Sequence, residues 1–473
     1  MNRKFALNDD GPVVEDRYFG SSHGGEMVAH ARWIPGRSKW TLWALLVLVF
    51  GAPAQDAQPL LNALRSGGPD ALVRSSDYAC QMELHRIQKK PSQEIEIEER
   101  ALLEVAWADG KERYSWPGEA AFREDELRDI LVAGLSGSGS FAGHLRAVIF
   151  GQSTQFGEMR AASGGSASVV IPYRVPAANS GYLVNVDGRE LEAAVTGEIT
   201  LATGTGKPVL AGFTLRAVDL PEDFPARKVN EEIVFVEGLR LSGESANRQS
   251  VPAHSLSGVP VLGRQAMTER NGDEYRNEIV YTRCREFRGE SSIRFADEPS
   301  QRRTAAASGE RLTVSTRPVP RGVPIDAELA TRLDWEKLRT GDAVDALVTR
   351  DARFKGSTVV PEGARLRGRI VELKKVSGKS QGYLVGLVFE EAVTGKTRIP
   401  LRMVLESLPG MPKGARRGIA AMVHGENARF QLMERTAPGG GPLLQGGFFQ
   451  ALGPQLDVPK GFEMRWVTVE VDR

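Results

Sequence analysis

Along most of the stretch from Cys80 to Phe295 the hydrophobic period is two. Polar and apolar positions alternate in "QMELHRIQ" and again in "ALLEVAWADGKERYSW", the pattern of strands with one face turned to a core. The second run breaks at Asp109-Gly110, a pair suited to the positive-φ positions of a tight hairpin, so two strands enter a sheet here. The alternation continues through "SGYLVNVDGRELEAAVTGEITLATG", "FTLRAVDL", "EEIVFVEGLRL" and "NEIVYTRCREF", with turns at Asp187-Gly188 and Asn271-Gly272-Asp273. Three segments change period. "QPLLNALRSG" and "GHLRAVIFG" read as short helices. In "EAAFREDELRDILVAG", Leu127, Ile130 and Leu131 fall on one face, acids crowd the start and Gly134 supplies a stop. The expectation for 58–298 is a curved antiparallel sheet with one or two covering helices, in a chain that is mostly β and of α+β type.

The polar, aperiodic segment "DEPSQRRTAAASGER" predicts a linker covering 299–311. Beyond it a small phrase recurs: Val-Pro-x-Gly begins at Val319, Val360 and Val458, and Ile325, Leu366 and Met464 stand at one offset from the three valines. Proline presets the second position of a type I turn and glycine suits the fourth, so each copy should reverse the chain into a new strand. A fourth copy at Met411 puts Arg417 at that offset and fits a turn without a pleated successor. "GDAVDALVTRD", "GYLVGLVFEEAV" and "TRIPLRMVLESL" add strands, and in the last of these Ile399, Leu401, Met403 and Leu405 share a face. Together they predict a second antiparallel domain, a barrel or sandwich, over 312–473. The alternation of Phe462, Met464 and Trp466 brings the end of the chain back into its sheet.

One segment breaks with both periods. Arg37 and Lys39 precede an apolar run from Trp40 to Gly51, and Ala52 and Ala54 occupy the minus-three and minus-one positions of an A-x-A cleavage site. Residues 1–54 therefore read as leader and signal peptide, with Met27 as a candidate true start. The run is shorter than the ~18–20 residues of a bilayer span, so no stable transmembrane span is expected after cleavage. Export would carry Cys80 and Cys284, the only cysteines, into a compartment where disulfides persist. Both lie in strand-like text, which permits a bridge from the first strand of a domain to one of its last. Loop closure would then stabilise the fold by roughly 5 kcal/mol at most. Two buried free thiols are the alternative.

Composition narrows the chemistry. A formal charge of +1 over 473 residues gives no global attraction to nucleic acid or to an anionic membrane. The histidines lack ligand spacing with one another or with cysteine, so no metal is expected. "KVSGKSQG" ends like a phosphate loop but has Leu373 where that loop needs glycine, and "GSGSFAG" follows a helix where a dinucleotide turn must leave a strand. G-x-S-x-G occurs at 20–24, in the leader, and at 378–382, before the strand-like "GYLVGLVFEEAV", so neither copy opens a helix as a nucleophile elbow must, and His254 and Ser255 are neighbours that rarely aim at each other. The acid pairs Asp125/Glu126, Glu231/Glu232 and Glu390/Glu391 read as solvated surface rather than as an acid and base flanking a bond. No catalytic residue, metal or cofactor is assigned.

Two groups of residues remain as candidate binding surfaces. Trp107, Trp116, Phe150, Tyr182, Phe213 and Tyr281 lie in or beside the strands and helices of the first domain. They are either core or the lining of a cavity for an apolar ligand. Arg365, Arg367 and Arg369 fall on one face of a strand, which is either a basic binding face or a charged solvent face that protects a sheet edge.

The segments "DYACQMELHRI", "GKERYSWPGEAAF" and "NEIVYTRCREFRGESSIRF" resemble an uncharacterised group of exported bacterial proteins. That group is distantly similar to the outer-membrane lipoprotein-sorting (lipoprotein carrier) proteins, which implies a curved sheet and helical lid able to hold acyl chains. "GDAVDALVTRD" and "VVPEGARLRGRIVEL" are similar to small β-domains of TrbI-type envelope proteins. The reading that results is an exported, periplasmic or extracellular, non-enzymatic envelope protein. Its first domain would bind an apolar or acyl ligand, and its partners would be lipid, lipoprotein or another envelope protein, not nucleic acid. An extracytoplasmic hydrolase, or a structural component whose strand edges pair with a partner chain, are the alternatives.

Overall fold

The computed structural model describes residues 57–66, 78–108, 111–119, 122, 127–131, 135, 137, 139–141, 143–162, 168–203, 208–235, 259–286, 313–315, 319–379, 381–408, 420–425, 428–433 and 446–469. They are mostly β and belong to one compact unit, Ala54–Arg473. The leader with Ala52 and Ala54, the linker at 299–311 and the turn phrase at Met411 lie outside the described residues.

The first half contains β1 (Tyr78–Lys90), β2 (Ile95–Ala108), β3 (Lys111–Ser115), β4 (Gln155–Phe156), β5 (Arg160–Ala161), β6 (Ser168–Val175), β7 (Leu183–Val186), β8 (Arg189–Glu192), β9 (Ala194–Ala202), β10 (Val209–Val218), β11 (Ala226–Phe235), β12 (Pro260–Glu269) and β13 (Glu274–Glu286). Across the sheet the order is β3-β2-β1-β13-β12-β11-β10-β9-β6, and every neighbour is antiparallel. The short β4 and β5 share the outer edge of β6. Two runs of successive strands therefore meet where β1 lies against β13. A disulfide between Cys80 and Cys284, with Cα atoms 4.0 Å apart, crosses this seam and ties the first strand to the last.

Period two decides what the inner face of this sheet meets. α1 (Gln58–Arg65) and α3 (Gly143–Phe150) bury Leu61, Leu145 and Ile149 against Ile171, Phe213 and Ile233. α2 (Leu127–Ile130), with Leu131 just beyond it, buries Leu127 and Ile130 against Met82, Leu103 and Tyr281. The three residues that the sequence placed on one helix face thus reach one cluster. The β7–β8 hairpin turns at Asp187 and Gly188, with φ of 51° and 78°, and lays Val184 and Val186 on Val229 and Met267.

The second half contains β14 (Thr313–Val314), β15 (Pro324–Leu329), β16 (Leu333–Asp334), β17 (Ala343–Val348), β18 (Ala352–Phe354), β19 (Ser357–Val360), β20 (Arg365–Gly378), β21 (Gly382–Thr394), β22 (Thr397–Pro400), β23 (Met403–Ser407), β24 (Ala420–Gly425), β25 (Ala428–Met433), β26 (Gly447–Leu452), β27 (Asp457–Val458) and β28 (Glu463–Thr468). Antiparallel pairs run β15-β17-β20-β21-β22. β22 continues past Leu401 and Arg402 into β23, β23 pairs with β28, and β28 returns to β15. Among the described residues the ring closes, from β15 through β17, β20, β21, β22–β23 and β28 back to β15, which is the arrangement of a barrel. Inside lies one continuous apolar cluster from Val319 to Trp466.

The Val-Pro-x-Gly phrase acts one residue later than a type I turn requires. In the second copy the N–H of Ala364 donates to the Pro361 carbonyl at 3.2 Å, which makes Gly363, with φ of 76°, the third residue of the turn. A positive φ there is the mark of a type II turn and calls for glycine. Gly322 and Gly461 share the conformation, at 83° and 81°. Each glycine N–H donates to the last residue of an adjacent strand: Gly322 to Thr468, Gly363 to Val348, Gly461 to Leu329. The N–H of that last residue donates back to the carbonyl of Val323, Ala364 or Phe462. The repeated words thus encode one repeated stitch that fastens the start of a strand to the end of its neighbour.

β20 and β21 outrun the barrel, and this joins the halves. Lys374–Gly378 of β20 pairs with Ile95–Glu99 of β2, while β3 occupies the other stretch of the same β2 edge, Glu104–Ala108. Thr340 bridges the interval, accepting from the N–H of Leu102 at 2.8 Å and donating to the Arg100 carbonyl at 2.9 Å. The contact is too close for a side chain: a Cβ on Gly341 would lie 2.1 Å from the Leu102 oxygen, and one on Gly378 would lie 1.8 Å from that of Glu94.

Candidate functional site

Polar residues that fall in the apolar phase of a strand have to be buried with partners or left at high cost. On the inner face of the first half they form a connected set. Glu112 of β3 is buried and accepts from the N–H groups of Gly139 (2.7 Å), Phe141 (3.0 Å) and Gly143 (3.1 Å), and from the Tyr114 hydroxyl at 2.6 Å. One carboxylate therefore fixes the connection that leads into α3. Glu231 of β11, 3% exposed, accepts from the Ser140 hydroxyl and stands 3.4 Å from Nε2 of His144. Gln265 of β12 donates to Ser140 at 2.7 Å, and Asn277 of β13 donates to Gln265 at 2.9 Å and to the Leu135 carbonyl at 3.1 Å.

Burial holds the Glu231 carboxyl above its ordinary value of 4.5, and the charge of Glu112 adds to the rise; His144, Ser140 and Gln265 oppose it. Burial, with the same carboxylates nearby, also raises the phenols of Tyr281, Tyr173 and Tyr182, so they remain hydroxyl donors. Ser140 and His144 both address Glu231. The hydroxyl is therefore committed to the carboxylate and not aligned on the imidazole, as a nucleophile and its base would be.

A cavity of about 760 Å³ opens beside this set. Leu135, Val184, Val186, Val229 and Met267 give it an apolar side, and His144, Tyr182, Gln265 and Asn277 line it from the polar network. Its far end reaches the joint between the halves, where Arg86, Glu99 and Lys374 line the wall and Leu384 is contributed by β21. These charges are buried together: Arg86 Nη1 is 2.9 Å from Glu99, Lys374 Nζ is 3.1 Å from Glu372 and 3.9 Å from Glu99, and the Thr340 hydroxyl donates to Glu99 at 3.1 Å.

The six aromatic residues proposed as a lining are spread over separate clusters. Phe213, stacked on Tyr173 at 5.6 Å, Trp107 beneath the Arg146 guanidinium at 4.7 Å, and Phe150 belong to the α1–α3 core. Tyr281, against Phe141 at 5.2 Å, and Trp116, under Arg369 at 5.6 Å, belong to the α2 cluster. Tyr182 alone of the six lines the cavity, with its ring 5.0 Å from that of His144. The arginines of β20 each face carboxylates: Arg365 lies 3.6 Å from Asp345, Arg367 lies 3.8 Å from Glu391, and Arg369 lies 3.1 Å from Glu119 and 3.4 Å from Glu390. This is a charge-balanced outer face.

The reading of Glu231/Glu232 as solvated surface is half wrong. Glu232 is half-buried, 3.0 Å from Arg264 on the outer face, but Glu231 points inward. Neighbours on a strand face opposite ways, and Glu231 is in phase with Val229, Ile233 and Phe235. The same signal marks Arg86, in phase with Met82 and Leu84, and Glu99, in phase with Ala101 and Leu103. Among the described residues no group of three or more His, Cys, Asp or Glu could hold a metal ion. No protein-family model, curated protein or solved structure matches the chain.

Proposed function

We propose that the protein is an exported, non-enzymatic envelope protein whose first half holds an acyl-chain amphiphile, and whose barrel serves as a rigid interaction module. The observation that carries this reading is the cavity of about 760 Å³, with an apolar side under the β7–β8 hairpin and a polar side at half-buried His144 and buried Gln265 and Asn277. Ligand pockets of about 300–1,000 Å³ are commonly apolar with a few placed polar groups that orient the occupant. Export is supported by the Cys80–Cys284 disulfide, since such bonds persist in oxidising compartments. No described helix is long and apolar enough to cross a membrane.

The test is organic extraction of the purified, oxidised protein followed by mass spectrometry, with thermal unfolding of the extracted protein in added dodecanol. Co-purified acyl species are expected. A ligand at 100 times its Kd should stabilise the fold by about 2.7 kcal/mol. A protein that carries no acyl species, and whose unfolding midpoint is unmoved by dodecanol, overturns the reading.

A further inference from the structure

Resting on that reading, we infer that the amphiphile has an anionic head, a carboxylate or a phosphate monoester, seated at the joint between Arg86 and Lys374. The second half would then complete the binding site of the first.

Arg86 of β1 and Lys374 of β20 are 5% and 6% exposed, and both line the cavity wall. Glu99 lines it too, but Glu372, which lies 3.1 Å from Lys374, does not. The four charges balance, so the joint can fold without a ligand, as buried charges must be paired to be tolerated. Their arrangement is nevertheless polarised: two cations and one carboxylate are presented to the cavity, and the second carboxylate is held outside it.

The other charges at the wall do not reverse this. Lys90 is matched by Asp273 at 3.9 Å, the buried carboxylate of Glu269 accepts from Asn271 at 2.9 Å, Arg128 of α2 adds a further cation, and Asp187 and Glu190 belong to the β7–β8 hairpin at the apolar side. A guanidinium and an ammonium in a poorly hydrated site make charge-assisted hydrogen bonds to carboxylate or phosphate oxygens, and these are stronger than bonds to a neutral hydroxyl. A cationic head would meet the same two groups as like charges. An alkyl chain would extend from there along Val184, Val186 and Met267.

The geometry of the joint makes this site dependent on both halves. Lys374 is held in register because its strand pairs with β2, with Lys374 opposite Glu99. Thr340 secures the same point, accepting from the N–H of Leu373 at 2.9 Å while donating to Glu99.

The experiment is calorimetric titration of the extracted full chain with four dodecyl probes of one chain length: dodecanoate, dodecyl phosphate, dodecanol and dodecylamine. The two anions are expected to bind at least tenfold tighter than dodecanol, and dodecylamine more weakly than dodecanol. Whichever anion binds tighter identifies the source of the head group. Dodecanol or dodecylamine binding as tightly as the anions overturns the inference and leaves the proposed function standing; binding by none of the four overturns both. The wild-type series requires no variant. A second measurement uses Lys374→Met combined with Glu372→Leu, which removes one cation and one anion together. It should reduce the preference for dodecanoate over dodecanol to less than threefold while dodecanol affinity holds, and an unchanged preference places the head elsewhere and overturns the inference.

Discussion

The two halves bury their sheets in opposite ways. In the barrel, alternate side chains of a closed ring meet in one apolar cluster from Val319 to Trp466. The inner face of the first half is divided into three apolar clusters, and among its described residues Arg86, Glu99, Glu104, Glu112, Arg146, Glu231, Glu269 and Asp273 are buried. In the second half the buried charged side chains described are Glu372 and Lys374, both at the joint. Taking a charged side chain out of water carries a cost that its partners offset only in part, and the apolar interior of the barrel avoids that cost where the first half accepts it. The difference teaches where to look for function: in the half whose interior is more polar than folding requires.

The largest expected effect tests whether the barrel really is the stable partner. Trp466 is fully buried on β28, edge-on to Phe389 at 5.2 Å. Trp466→Ala should destabilise the barrel by about 3–5 kcal/mol, measured as the denaturant midpoint. Hydrogen exchange should then quicken in β15 and β28 before it quickens in β1 and β13. Equal loss of protection in all four strands would break the comparison, because it would mean that the joint makes the halves one cooperative unit.

A smaller effect sharpens the description of the barrel. Gly322, Gly363 and Gly461 make the same pair of hydrogen bonds in the same conformation. A Cβ would meet nothing within 4 Å at Gly322 or Gly363, and only the Glu328 carboxylate at 4.0 Å at Gly461. Alanine at each should therefore cost about 1–2 kcal/mol, the strain of a side chain in the left-handed region, and the three costs should agree. A spread well beyond that range in thermal unfolding would show that the three turns are alike in wording only.

The barrel was more legible in the sequence than the first half, and for a physical reason. Ile325, Leu366 and Met464 stand at one offset from three valines because each enters a strand by the same turn, and a turn is a local event. The strands around Cys80 and Cys284 were legible too, because period two survives a polar intruder. What was lost is what the intruders do. Glu231 was read with its sequence neighbour Glu232 and not with its strand phase, so its place beside His144 went unseen. The aromatic residues were read as either core or cavity lining, and the alternatives stayed open because which cluster each joins depends on where α1, α2 and α3 lie across the sheet. The pairing of β2 with β20 brings together Glu99 and Lys374, which are distant in the chain, and nothing local to either announces it.

The smallest effect asks whether the polar interior does cost stability, and Glu231 supplies the means. The groups facing its carboxyl are Ser140, His144 on α3, Gln265 on β12 and Glu112 on β3. With burial the leading cause, the folded chain holds this proton more tightly than an unfolded chain, whose glutamate titrates near 4.5. Between the two titrations the unfolded state has released a proton that the folded state retains. Stability contributed by Glu231 is thus full below pH 4.5 and is lost as pH rises toward the folded value, by about 1.4 kcal/mol for each pH unit in that interval. Glu231→Gln keeps a neutral hydrogen-bonding side chain and removes the titration. The variant's denaturant midpoint should therefore be flatter than wild type from pH 4.5 upward, and the variant should gain on wild type as pH rises. If the two profiles stay parallel from pH 4 to pH 8, the interior is satisfying this carboxylate as fully as water does, and the contrast between a costly half and a stable one loses its energetic basis at that residue.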